Sequence, residues 1–354
     1  MSKLLLAGYF GSGNLGDDAI LLGFARGIEP HGHEFKVVAG SAERLMRNYG
    51  LIGISKTEMD RVKTAIKECD ALVFPGGSIF QDVTSVRSVA YYSNLVKLAK
   101  KENKKVIMLG QGIGPLNRFI GKSMAVSAFN SCDAIAVRDP QSINTLRSLG
   151  VKVNPQLTAD TAFLLQKPEL KEESSSFGVA GMKTIGISMR PFGKEKETMA
   201  IFTELIKKLH GAGYVPTMVN LDETEDQPLV TKMAKTYGGK LPELRGVNHP
   251  IQLMERLSRM EAIIGMRLHS GILASIVGVP PYLLSYDPKV SAFANVMGFS
   301  TPLPMEGITA DRIFNGFQTF IKDRDRIAES IVKRSEEQRK LSQGNIDLLN
   351  QTLG

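Results

Sequence analysis

The sequence predicts an α/β protein built from two doubly wound domains that face a common cleft. Short apolar runs alternate with glycine-bearing loops and amphipathic stretches along most of the chain, the pattern of parallel strands crossed over by helices. The alternation stops once, at Gln166-Lys-Pro-Glu-Leu-Lys-Glu-Glu-Ser-Ser-Ser, which is polar, proline-interrupted and aperiodic, and restarts at Thr184. A length of 354 residues suits two domains, each large enough for its own core. The expected organisation is a first domain over 1–165, a linker over 166–183, a second domain over 184–322, and a closing helix over 323–354 that can return to the first domain.

In the first domain, Lys3-Leu-Leu-Leu-Ala-Gly-Tyr-Phe10 reads as a strand, Gly11-Ser-Gly-Asn-Leu-Gly16 as a turn, and residues 17–26 as a helix. This is a literal G-x-G-x-x-G between strand and helix. Two features argue against a dinucleotide there. Asp17 and Asp18 stand at the helix N-terminus, where they compete with a pyrophosphate for the positive end of the dipole. The second strand, Glu34-Phe-Lys-Val-Val-Ala39, lacks an acid at its end to grip a ribose. The glycines are read instead as letting backbone approach a ligand, with Asn14 and Asp17 as hydroxyl-binding candidates; simple helix capping is the alternative for the two aspartates. Asp70-Ala-Leu-Val-Phe74 is the next strand, opening into Pro75-Gly-Gly-Ser-Ile-Phe-Gln-Asp82, where Gln81 and Asp82 are further candidates, and then into a helix over 85–101. Strands at Lys105-Val-Ile-Met-Leu109 and Asp133-Ala-Ile-Ala-Val137 follow, the latter ending in Arg138.

The second domain opens with Thr184-Ile-Gly-Ile-Ser-Met189, ending in Arg190. Helices over 198–209 and 226–237 flank the strand Val215-Pro-Thr-Met-Val-Asn220. Glu261-Ala-Ile-Ile-Gly265 then leads through Met266-Arg-Leu-His-Ser-Gly271 into a buried helix, a strand-to-helix turn of the kind that holds ligands at the carboxyl ends of strands. Arg267 is a fork of donors for phosphate or carboxylate, and His269 is the side chain suited to proton transfer near pH 7. For an isolated Arg-x-His, a solvated Arg and a packed His would be the alternative. Pro281-Tyr-Leu-Leu-Ser285 ends in Tyr286-Asp-Pro-Lys289.

Composition narrows the function. The chain is 43% hydrophobic and 23% charged, ordinary for a soluble globular protein. Its start is too short in apolar residues for a signal peptide, and no later run could span a bilayer, so a cytoplasmic protein is expected. Two cysteines, Cys69 and Cys132, speak against a disulfide framework or structural zinc. The formal charge of +8 admits nucleic acid, a membrane surface or anionic small molecules. Nucleic acid is set aside: there is no Trp and no aromatic-basic interleaving to stack bases.

The observation that points to a site is positional. Arg138, Arg190 and Arg267 each stand directly or one step after the apolar run of a strand, and Lys289 follows a fourth. Four cations on four strand ends, split between two domains, would face a shared cleft and suit a small ligand carrying both a phosphate and a carboxylate. No His, Cys and carboxylate cluster has metal-ligand spacing, so no metal is expected.

These residues also carry a resemblance. Gly11-x-Gly-Asn-x-Gly-Asp-Asp-Ala19, Pro75-Gly-Gly-Ser-Ile-Phe-Gln-Asp82, Gly110-Gln-Gly-Ile-Gly-Pro115, Val137-Arg-Asp139, Ser188-Met-Arg190 and Gly265-Met-Arg-Leu-His-Ser-Gly271, taken in order, resemble the polysaccharide pyruvyl transferase family, closest to its members that act on secondary cell-wall polymers. The resemblance implies two Rossmann-like domains in a GT-B-like arrangement, phosphoenolpyruvate as co-substrate, and no cofactor. It implies a pyruvate ketal on two hydroxyls of an N-acetylmannosamine, in a lipid-diphosphate-linked disaccharide at the cytoplasmic face of the membrane, with the protein peripheral on that surface. Arg138, Arg190, Arg267 and Lys289 are then the donor-binding residues, and His269 with Arg267 the catalytic ones. Asn14, Asp17, Gln81 and Asp82 are the acceptor-binding candidates. Two other readings stay open: a glycosyltransferase using a nucleotide sugar on the same fold, and a non-catalytic anion-binding protein, which would have no need of His269.

Overall fold

Buried strands without polar faces decide the architecture. A computed structural model of the chain describes residues 1–83, 85–169, 183–238 and 241–354. They divide into two compact units, the first of residues 1–12, 17–165 and 337–354, the second of residues 13–16 and 166–336. Residues 170–182 of the expected linker, 166–183, lie outside the described residues.

The first unit is a seven-stranded parallel sheet. Its strands are β1 (Lys3–Ala7), β2 (Glu34–Ala39), β3 (Gly53–Ser55), β4 (Ala71–Phe74), β5 (Lys105–Gln111), β6 (Ala134–Val137) and β7 (Gln156–Leu157), in the order β3-β2-β1-β4-β5-β6-β7. The inner strands β4 and β6 are buried throughout, as a sheet covered by helices on both faces requires. The crossovers are helices α1 (Leu15–Ile28), α2 (Ala42–Tyr49), α3 (Met59–Glu68), α4 (Val86–Lys101), α5 (Phe119–Asn130) and α6 (Pro140–Ser148). Helix α6 starts where it does because Asp139 accepts the Ser142 N–H at 2.7 Å and Pro140 follows it, a cap with a preset φ. Cys69 and Cys132 are free and buried, and burial pushes the Cys69 thiol up to about 11.

The second unit is a five-stranded parallel sheet of β8 (Lys183–Ser188), β9 (Tyr214–Met218), β10 (Ala262–Gly265), β11 (Pro281–Ser285) and β12 (Leu303–Pro304), in the order β12-β11-β10-β8-β9. Its helices are α7 (Glu195–Gly211), α8 (Gln227–Thr236), α9 (Pro250–Leu257), α10 (Leu268–Ile276), α11 (Pro288–Met297), α12 (Ala310–Ile321) and α13 (Arg324–Leu353). Residues 13–16 group with this unit, although the expected first domain ran unbroken from 1 to 165. The backbone explains it: the Leu15 N–H donates to Leu221 O at 2.8 Å and the Glu223 N–H to Gly13 O at 3.0 Å.

Residues 337–354 of α13 complete the first unit. The Asn345 amide donates to Ala159 O at 2.9 Å and accepts from the Thr158 hydroxyl at 2.8 Å. Ser342 donates to Asp160 O at 3.1 Å, and Ile346 and Leu349 are fully buried. Gly27 has no Cβ because one would lie 2.9 Å from the Ile346 side chain.

Candidate anion-binding site

Strand order assembles the site of the second unit. Because β8 lies between β10 and β9, the loops after these three strands are neighbours. They carry Arg190 after β8, the acidic run Asp222-Glu-Thr-Glu-Asp226 after β9, and Arg267 after β10.

Arg267, the N-cap residue of α10, is buried and is not the open fork expected of it. Its Nε donates to both carboxylate oxygens of Asp226, at 3.0 and 3.2 Å, and its Nη2 donates to Glu225 Oε2 at 2.8 Å. Asp222 stands 3.8 Å from the same nitrogen. Burial works against the Arg267 charge, yet Asp226, Glu225 and Asp222 outweigh it and hold the guanidinium protonated above its ordinary range. Burial also pushes the Asp226 carboxyl up, against the pull of Arg267. A buried pair of this kind costs about 3–5 kcal/mol to break by removing one partner, so Asp226 is a fixed support of Arg267.

Glu225 is a different kind of partner. Its side chain is 44% exposed, and the same Oε2 also accepts from Arg190 Nη2 at 3.3 Å. Arg190 lies over the Tyr286 ring, 4.4 Å from its centroid, and donates from Nη1 to the Tyr286 hydroxyl at 2.8 Å. Lys289 Nζ is 5.6 Å from the same centroid, its backbone N–H held by the α11 cap Asp287 at 3.0 Å. Arg190 thus joins two groups: it shares the partly exposed Glu225 with Arg267 and the Tyr286 ring with Lys289.

His269 sits in the first turn of α10. A Cβ on Gly16 would come within 2.6 Å of its Nδ1 and 2.8 Å of its own Cβ. The last glycine of the G-x-G-x-x-G therefore admits an imidazole, where the sequence pointed to a ligand. Asn14 accepts the Gly16 N–H at 2.9 Å and donates to Asp222 at 3.1 Å, so this candidate for acceptor hydroxyls is tied to the acidic loop. On the other side of that loop Asn220, Glu223 and Gln227 line a cavity of about 950 Å³, with Gly13 and residues 243–248 on its far walls.

In the first unit Arg138 is buried, donating to Asp160 at 2.7 Å and to the Ser78 hydroxyl at 2.8 Å. Gly112 passes so close that a Cβ would meet Arg138 Nη2 at 2.5 Å. Asp82, expected to meet acceptor hydroxyls, is buried and accepts the N–H groups of Asn117 and Arg118 at 2.7 and 2.8 Å; it anchors a loop. Asp17 and Gln81 are half-buried, and Asp17 Oδ1 would lie 3.5 Å from a Cβ on Gly77. Asp18 is buried and holds Gly11 N–H and the Tyr49 hydroxyl, both at 2.8 Å. Burial pushes its carboxyl up to about 6, against the pull of those two hydrogen bonds. Among the described residues no group of three or more His, Cys, Asp or Glu is placed to hold a metal ion, and no helix is long and apolar enough to cross a membrane.

Sequence reasoning missed Glu225, Asp226, Asp222 and Tyr286. For the three acids the signal was the acidic run directly after a strand end, which acquires meaning only once β9 is known to lie beside the strands that carry the arginines; for Tyr286 it was its place directly after β11.

The two doubly wound α/β units define a protein of the GT-B fold class. The sequence profile described as polysaccharide pyruvyl transferase matches residues 14–288. The chain belongs to that family. A curated relative, the amylovoran biosynthesis protein AmsJ of Erwinia amylovora, is 26% identical over 246 residues, 63% of this chain and 58% of that protein. The match thus spans less than two thirds of the relative's length. Among solved structures, a glycosyltransferase from Rickettsia africae has a TM-score of 0.66 at 11% identity, over 99% of this chain and 98% of that one. The UDP-GlcNAc 2-epimerase from Methanocaldococcus jannaschii has 0.64 at 10%, over 99% of each chain. Such distant likeness establishes the fold alone.

Proposed function

We propose that the chain is a pyruvyl transferase. It moves the enolpyruvyl group of phosphoenolpyruvate onto two hydroxyls of an N-acetylmannosamine in a lipid-diphosphate-linked glycan precursor. One observation carries the reading: a partly exposed carboxylate, Glu225, sits between the Nη2 atoms of Arg190 and Arg267. Those two nitrogens, with Lys289 beside Tyr286, form a place for a compact polyanion, and Glu225 fills part of it as a donor carboxylate or phosphate would. Asp226 keeps Arg267 oriented from behind.

The chemistry needs one proton delivered to carbon. Protonation of the donor's methylene gives a methyl group and leaves C2 electron-poor. One acceptor hydroxyl bonds to C2, the C2–O bond to phosphate breaks, and the second hydroxyl closes the ketal. Of the two hydroxyl protons released, one balances the proton gained by the methyl carbon and the other leaves with phosphate. His269 is assigned the proton transfer, and Arg267, two residues before it, stabilises the anionic donor. Asp17 and Gln81 remain the acceptor-side candidates, with Arg138 a donor ligand only if Asp160 yields its place.

The test is thermal-shift titration with phosphoenolpyruvate on the wild type, Arg190→Ala and Lys289→Ala. These variants are chosen because Arg267→Ala would strand the buried Asp226. Stabilisation that is lost in both variants is expected; equal stabilisation in all three proteins rejects the site. The cavity along residues 243–248 is the feature favouring a second reading, transfer from a nucleotide sugar. A shift with a nucleoside diphosphate and none with phosphoenolpyruvate would establish that reading instead.

A further inference from the structure

The chain's positive charge is gathered in one segment. Residues 83–132 hold eight Lys or Arg against one acid, Glu102, a net +7; the remaining 36 basic and 35 acidic residues net +1. The segment contains α4, β5 and α5. At its start and centre three large apolar side chains face solvent: Val83 is 54%, Phe119 84% and Ile120 65% exposed. Phe119 and Ile120 open α5, flanked by the exposed Arg118 and Lys122. Arg87, in the first turn of α4, adds a third exposed cation.

Asp82 makes this corner rigid. Its carboxylate holds the N–H groups of Asn117 and Arg118, and its own N–H donates to Pro115 O at 3.1 Å. Val83 and Phe119 each follow directly on a residue of this hydrogen-bonded set, Asp82 and Arg118. Gly121 permits the close approach of Asp82, since a Cβ there would lie 2.5 Å from Asp82 Oδ2. The corner lies at the carboxyl ends of β4 and β5, on the same edge of the first unit's sheet as the glycine loops and Arg138.

We propose that Val83, Phe119 and Ile120, with Arg118, Lys122 and Arg87 around them, form a docking surface for an anionic lipid bilayer. The apolar tips enter the headgroup boundary while the cations meet anionic headgroups. Charge complementarity selects the bilayer over a second copy of the chain, since two copies would bring the exposed Arg87, Arg118 and Lys122 of one against the same cations of the other. The proposal rests on the proposed reaction only for its purpose, delivery of this edge to a lipid-linked acceptor.

The experiment is vesicle co-sedimentation of the full chain. Pure phosphatidylcholine is compared with phosphatidylcholine mixed with phosphatidylglycerol, at two salt concentrations. Binding is expected on the mixed vesicles only, weakening with salt. Phe119→Ser with Ile120→Ser should lower partitioning on the order of 30-fold. Arg118→Gln and Lys122→Gln should each lower it about 5-fold. All of these positions are exposed, so melting temperature and turnover on a water-soluble acceptor should match the wild type. Equal binding to both vesicle types, or unchanged binding by the Phe119→Ser, Ile120→Ser variant, overturns the proposal. So does a dimer, seen by sedimentation velocity, that this variant dissolves while the wild type ignores vesicles. Wild-type vesicle binding without turnover on the soluble acceptor would instead remove the pyruvyl-transfer reading and leave the docking surface standing.

Discussion

Replacing Glu225 with Gln should tighten donor binding, an uncommon direction for a mutation inside a binding site. Glu225 Oε2 receives hydrogen bonds from Arg267 at 2.8 Å and Arg190 at 3.3 Å. A donor that uses those two nitrogens must first displace this carboxylate. With the side chain 44% exposed, each pair falls among solvent-screened contacts worth roughly 0.2–1 kcal/mol. Together they oppose the donor by about 0.5–1.5 kcal/mol, a factor of roughly 2–10 in affinity. Glutamine retains an acceptor oxygen but loses the charge, so Glu225→Gln should bind phosphoenolpyruvate more tightly by that factor, and the gain should shrink as salt is added. Isothermal titration of both proteins at two ionic strengths measures it. Weaker binding in the variant would refute the reasoning, because Glu225 would then be organising the arginines for the donor. Unchanged binding would place the donor elsewhere.

Three further outcomes follow from residues outside the cation cluster. His269→Ala should lower turnover by roughly 100-fold while leaving donor affinity within a few-fold, and Gly16→Ala, whose Cβ would press on the same imidazole, should cost roughly 10-fold or more through its misplacement; single-turnover kinetics with near-normal rates in either would show that the histidine does not move the proton. Asp18 favours folding most when protonated. That contribution is complete below its unfolded value of 3.8 and is lost as pH rises through about 6, so urea denaturation should find the wild type losing about 2 kcal/mol more than Asp18→Asn between pH 4.5 and 7.5, and equal pH dependence would contradict a buried, reluctant carboxylate.

The fold was largely legible because its strands are buried on both faces and read as uninterrupted apolar runs, as at Ala71-Leu-Val-Phe74 and Ala134-Ile-Ala-Val137. The edge strands β3, β7 and β12, two or three residues long, leave no such run to read. Candidate cations were legible from their place after strands, and their partners were not. Pairing Arg267 with Asp226 requires the strand order β10-β8-β9, which no local periodicity encodes. The same holds for Gly16 and His269, whose contact joins distant parts of the sequence. Asp82 shows the converse: a polar residue in a glycine-rich loop looks like a ligand until backbone N–H groups are seen to claim both its oxygens.

The C-terminal segment of α13 sets an order of events in synthesis. Residues 337–354 supply Ile346 and Leu349 to the first unit's interior and satisfy Thr158 and the carbonyls of Ala159 and Asp160. All of the second unit is translated before them. At about 5–20 residues per second, a nascent first unit waits roughly 10–40 s for its last helix. During that interval its sheet has an apolar face open beside Gly27 and three polar groups without their final partners. The second unit can fold meanwhile, since residues 13–16 and 166–336 are all made by then, so the half of the protein made first is the half completed last.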